Sequence, residues 1–127
     1  MKTPSPYALW APVAFYLALI FWLSSISSPP ELPSGVTDKA AHAALYLGLG
    51  LVLVRALAGG FARPVTVRIV VLAVVASGLY GVTDEIHQYF VPPRQMEAAD
   101  VLADTIGSAV AACTLYAWGI IRGRHAL

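Results

Sequence analysis

The residues able to do chemistry gather in two stretches. One holds Asp38, Lys39, His42 and Tyr46; the other runs from residue 84 to 108 and holds Asp84, Glu85, His87, Gln88, Arg94, Glu97, Asp100 and Asp104. Five of the seven acidic residues lie in the second stretch. Histidine changes charge near neutral pH, so His42 and Glu85 are the candidates for acid–base work. Asp100 and Asp104 stand one helical turn apart and offer oxygen ligands of the kind Mg²⁺ or Ca²⁺ takes. A divalent cation is the one cofactor this suggests, and pairing of the acids with Lys39 and Arg94 competes with it. No close His/Cys cluster has zinc spacing. Arg94 follows Pro92-Pro93, where its guanidinium would meet a phosphate or carboxylate with two parallel hydrogen bonds, or else pair with Glu97 or Asp100. Glu85 with Gln88 reads as an acid held by an amide. Asp38 reads as a helix cap. His87 lies one position off the Asp84/Gln88 face and is expected among lipid headgroups. Ser77, Thr105 and Ser108 imply no Ser-His-Asp arrangement and read as packing residues.

These groups sit between long apolar runs. The chain has 127 residues, 58% hydrophobic and 12% charged, with a mean hydropathy of +0.72. A soluble domain carries about 25% charged residues, so the surplus apolar surface must face lipid or partners. The length fits a single unit. A net charge of +1 does not suggest a nucleic-acid partner. The lone Cys113, in an apolar run, is expected to be buried and inert.

Turn formers cut the chain into four apolar segments, giving an all-α, integral membrane four-helix bundle with short loops. The helices are expected over about 7–26, 39–57, 66–90 and 98–121. The first, rich in interfacial Tyr and Trp, is read as a retained span rather than a cleaved signal. Its Pro12 falls about one turn in, where a helix tolerates proline. Pro29, Pro30, Pro33 and Gly35 break the chain before helix 2, Gly59-Gly60 after it, and Pro92-Pro93 after helix 3. The fully apolar part of helix 3, residues 69–82, is too short to span, so the helix must continue through Asp84 and Glu85.

Four spans put both termini at one end. Lys2, Arg55, Arg63, Arg68, Arg122 and Arg124 fall at that end, against Lys39 and Arg94 at the other. Six against two argues for cytoplasmic termini, with all seven acids in the outer half. Glu85 lies 17 residues beyond Arg68, Asp104 lies 17 before Ile121, and His42 lies 17 before Gly59. Each is therefore roughly 26 Å from its cytoplasmic helix end, in one layer just under the outer boundary. Small residues recur at helical spacing in Ala44/Gly48, Ala73/Ser77/Gly81 and Ala103/Gly107/Ala111, which suits close helix approach. Asp104 shares the stripe of Gly107 and should point into the bundle.

The two stretches together resemble the VanZ-like family of small bacterial membrane proteins. The segment Asp38-Lys39-x2-His42-x3-Tyr46 matches, as do Glu85-x2-Gln88-x5-Arg94-x5-Asp100-x3-Asp104-x2-Gly107. Pro93 stands where the family often has Gly, and Asp104 where it often has Asn, which adds a negative charge. The resemblance implies a multi-pass protein of the bacterial plasma membrane. The family takes its name from a protein linked to low-level teicoplanin resistance, an agent that acts at the outer face.

Three functions compete. In the first, Asp38, Lys39, His42, Tyr46, Asp84, Glu85, Gln88, Arg94, Asp100 and Asp104 line an outward pocket. That pocket binds a lipid headgroup, a lipid-linked envelope precursor or an amphiphile such as a lipoglycopeptide. In the second, the protein is an intramembrane enzyme acting on a headgroup through His42 or Glu85. In the third, the polar residues only hold the bundle or an assembly. The sequence sets no oligomeric state.

Overall fold

The structure, a computed structural model, describes residues 2–123. It contains four helices: α1 Pro6–Ser24, α2 Asp38–Leu57, α3 Val67–Tyr89 and α4 Ala98–Ile121. At about 1.5 Å per residue each is long enough to cross a hydrocarbon core of about 30 Å. All four are also apolar enough to do so, and the chain is a multi-pass membrane protein.

Side-chain oxygens start three of the helices. Ser5 accepts from Ala8 N–H at 3.2 Å, Thr37 from Ala40 N–H at 3.1 Å and Thr66 from Ile69 N–H at 3.1 Å. The expected cap Asp38 is instead the first helical residue, because Thr37 has the extended backbone and the bonded hydroxyl. Gly59 and Gly60 stop α2 with φ of 62° and 69°, a conformation glycine adopts without penalty.

The helices run up-down-up-down, so α2 and α4 are parallel, and they form the most extensive contact in the bundle. Glycine permits it on both sides. A Cβ on Gly107 would strike the Ala43 backbone of α2, and one on Gly50 would come within 2.9 Å of the Ser108 backbone of α4. Of the small-residue stripes, those of α3 and α4 are buried. Ala44 is exposed, so on α2 the small contact face is Ala43 and Gly50, while Gly48 lies against the Tyr16 ring.

Helix α1 packs through Val13 and Ile20, which are buried in the core, and is fixed by hydrogen bonds. Tyr16 donates to Leu45 O at 2.6 Å and Tyr80 to Leu17 O at 2.7 Å. Pro12 lies in the second turn of α1, deeper than expected. Having no N–H, it leaves the Ala8 carbonyl without its helical donor. Arg55 supplies one, donating to Ala8 O at 3.1 Å.

Ile20, Tyr46, Leu49, Val54, Ala73 and Ala112 are fully buried between the helices. Phe15, Trp22, Val71, Val75, Leu79, Leu102 and Ile106 face outward, as a lipid-facing surface requires. Cys113 also faces outward, against expectation; in a helix that is apolar on every side, residue type does not reveal which side is inside. Arg124 lies outside the described residues.

Candidate functional site

The end of the bundle away from the termini collects polar groups from every helix. The first turns of α2 carry Asp38, Lys39, His42 and Tyr46, the last turns of α3 carry Asp84, Glu85 and Gln88, and the start of α4 carries Asp100 and Asp104. Asp84, Glu85, Gln88, Asp100 and Asp104 are all at most 5% exposed. Buried charges are costly unless paired, so their partners define the site.

His42 Nδ1 lies 2.8 Å from Asp104 Oδ1, and its Nε2 lies 3.7 Å from Asp100 Oδ2 and 4.0 Å from Asp38 Oδ2. Lys39 Nζ bridges Asp100 and Glu97 and stands 3.6 Å from Asp38. Asp84 accepts from the Ser24 hydroxyl of α1 and, at 3.4 Å, from Tyr46. Glu85 Oε2 accepts from the Glu97 backbone N–H at 3.0 Å. Ligand atoms of His42, Glu85 and Asp104 lie within 4.8 Å of one another, and a second such group joins Asp38, His42 and Asp100.

Depth counting placed His42, Glu85 and Asp104 in one layer, and the structure brings them together. Other expectations change. Asp100 and Asp104 do not act as a pair, since Lys39 takes the first and His42 the second. Among the described residues Arg94 forms no ion pair with Glu97 or Asp100. Its Nη1 donates to Leu23 O at 2.9 Å and Ile26 O at 3.3 Å, closing the open carbonyl end of α1. Glu85 is held by the Glu97 backbone rather than by the Gln88 amide. His87 stacks on Phe21 of α1, with ring centres 4.3 Å apart, instead of standing free among headgroups. Thr105 and Ser108 bond back to carbonyls of their own helix, as packing hydroxyls do.

Ser24 was not foreseen as a partner of Asp84. It stands in a run with Ser25, Ser27 and Ser28, and nothing in its type marks it out. Glu97 was foreseen only as a loop partner for Arg94, yet its side chain meets Lys39 and its N–H meets Glu85.

Beside this cluster lies a cavity of about 200 Å³. It is lined by apolar Leu23, Ile26, Leu32 and Leu45 and by polar Asp38, His42, Asp84, Gln88 and Arg94. Of the residues expected to line a pocket, Lys39, Tyr46, Glu85, Asp100 and Asp104 do not line this one, because they are turned toward one another or into the core between the helices.

A four-helix membrane bundle with an acid-rich end, closed by an Arg-bearing turn, defines the class. Residues 8–121 match the VanZ/LLP1 family. The chain therefore belongs to the VanZ/LLP1 family. No curated protein and no solved structure matches it.

Proposed function

We propose that the chain binds the polar head of a membrane amphiphile at the acid-rich end of the bundle. The cavity carries the reading: its apolar lining suits an acyl chain or linker, and charges of both signs line it as well. Asp38 and Asp84 face a cationic group while Arg94 faces an anionic one, which favours a head carrying an amine beside a phosphate or carboxylate. Lys39 is engaged with Asp100 and Glu97, so it orients acids and does not receive the ligand. Pockets for drug-sized ligands measure about 300–1,000 Å³. A cavity of about 200 Å³ accommodates a lipid headgroup, or one part of a lipid-linked precursor or lipoglycopeptide. The bias of arginines toward the terminal end supports cytoplasmic termini, and in this reading the cavity opens toward the outer leaflet of a bacterial plasma membrane.

Native mass spectrometry of the purified protein tests this with phosphatidylethanolamine, phosphatidylglycerol and diacylglycerol. The ethanolamine lipid should be retained best, and Asp84→Asn or Arg94→Gln should weaken it about tenfold, an order suited to one lost charge-assisted bond. Equal retention of diacylglycerol would refute the reading. A stable Arg94→Gln variant that no longer binds would also argue against a purely structural role.

One observation favours chemistry on the bound head. Asp104 holds His42 at 2.8 Å while the same histidine lines the cavity, the arrangement of a base oriented by a carboxylate. Cells carrying the wild type and His42→Gln or Glu85→Gln should then differ in lipid profile. Identical profiles would exclude turnover.

A further inference from the structure

We infer that His42, Glu85 and Asp104 form a binding site for one divalent transition-metal ion, with zinc or manganese the best-matched ions. The three side chains come from α2, α3 and α4, and their ligand atoms already lie within 4.8 Å of one another. Ligands about 2.1 Å from a tetrahedral ion stand about 3.4 Å apart. The widest pair must therefore close by no more than about 1.4 Å, within reach of rotation in the Glu85 side chain.

A second observation points to a ligand. Glu85 is 2% exposed and Asp104 is fully buried, yet Glu85 Oε1 and Asp104 Oδ2 have no hydrogen-bond partner among the described residues. Each carboxylate is fixed through one oxygen, Glu85 by the Glu97 N–H and Asp104 by His42, and leaves the other uncommitted. Buried acceptors of this kind are rare and demand a cause. Gly81 lets the Asp104 carboxylate come close to α3, since a Cβ there would stand 3.0 Å from Oδ2.

Charge points the same way. Among the described residues no lysine or arginine forms an ion pair with Glu85 or Asp104, and His42 is the basic side chain beside these two buried carboxylates. The donor set of one imidazole and two carboxylates fits zinc or manganese better than magnesium, which keeps waters and oxygen ligands. With Nδ1 turned to the ion, His42 gives up its bond to Asp104 and the ion holds both side chains instead, while Nε2 lies 3.7 Å from Asp100 Oδ2, on the side where metal-bound imidazoles find an outer carboxylate. Asp100 is in turn held by Lys39. The ligands are scattered over 62 residues (42 to 104), which is why no short spacing announces them.

The site does not depend on headgroup binding and is tested without it. The full-length protein, purified in detergent without a histidine tag and stripped with a chelator, is titrated calorimetrically with ZnCl₂ and with MnCl₂. One ion per chain is expected. The near-isosteric Glu85→Gln and Asp104→Asn variants should each bind at least about tenfold more weakly, the scale found when metal-site partners are removed. Glu31→Gln, on the exposed loop, should bind as the wild type. The inference is overturned if the helical wild type binds neither ion, which would assign protons to the two oxygens. It is equally overturned if Glu85→Gln binds as tightly as the wild type. Should Asp104→Asn fail to fold, Glu85→Gln alone decides.

Discussion

Replacing Gly107 with alanine adds one methyl group at the contact between the two parallel helices. The built Cβ stands 2.8 Å from the Ala43 carbonyl carbon and 2.9 Å from its Cα, and its closest approach is to the Ala43 carbonyl oxygen. The obstacle is backbone, so no side-chain rotation relieves it. Ordinary contact begins near 3.4 Å, so the oxygen contact requires α2 and α4 to part by roughly 1 Å or slightly more. Overpacking of this kind costs about 1–3 kcal/mol, and the oxygen contact places it toward the upper end. Alanine is favoured over glycine inside a helix by about 1 kcal/mol. The net expectation is a loss of about 1–2 kcal/mol. The opening also acts on the site, because His42–Asp104 and Lys39–Asp100 bridge the same two helices. Thermal unfolding in detergent, followed by circular dichroism, measures the effect. Gly78→Ala is the control: its Cβ meets only the Thr105 side chain, with the hydroxyl at 3.1 Å, which a side-chain adjustment accommodates. Gly78→Ala should remain within about 0.5 kcal/mol of the wild type, as helix propensity offsets the tight contact. If Gly107→Ala is as stable as the wild type, or Gly78→Ala is equally damaged, the packing argument fails.

Three further outcomes follow from the hydrogen bonds. Arg55→Ala should lower stability by about 1 kcal/mol, the worth of a typical bond, and lose most of that effect in a Pro12→Ala background. There the helix supplies its own donor to Ala8, and additivity in the double-mutant cycle would contradict this account. Lys39→Met should destabilise the fold by leaving buried Asp100 with only His42, at 3.7 Å, to offset its charge, and Asp100→Asn should restore part of the loss; a double variant no more stable than Lys39→Met in the same melt would refute the pairing. Arg94→Ala should speed proteolysis within residues 25–37, because the carbonyl end of α1 loses its donor. Unchanged cleavage rates in limited digestion would count against that role.

Helix number and boundaries were legible because glycine and proline break the apolar runs between them. The layer of His42, Glu85 and Asp104 was legible too, since helical rise turns a residue count into depth. Orientation about each helix axis was harder to read. Lipid and bundle interior are both apolar, so Cys113 carries no sign of its side, and Ala44 and Ala43 look equally suited to a contact. Partner choice was hardest where one partner is backbone. Arg94 turns to carbonyls at the end of α1 and Glu85 to an N–H at the start of α4. Every residue carries those groups, so no residue type announces them.

The parallel pairing of α2 and α4 bears on how the protein is made. Residues emerge in chain order, so Lys39 and His42 are synthesised well before Asp100 and Asp104, the partners that hold them. Through the making of α3, the polar turn of α2 has no counter-charge from α4 and must stay in contact with water or headgroups. Helix α3 faces the same wait, because Glu85 is held by the Glu97 N–H. The last helix to arrive therefore completes the core contact and supplies the partners of both earlier ones. A chain cut short before α4 would present orphaned charges at the membrane surface, which quality-control proteases are placed to meet.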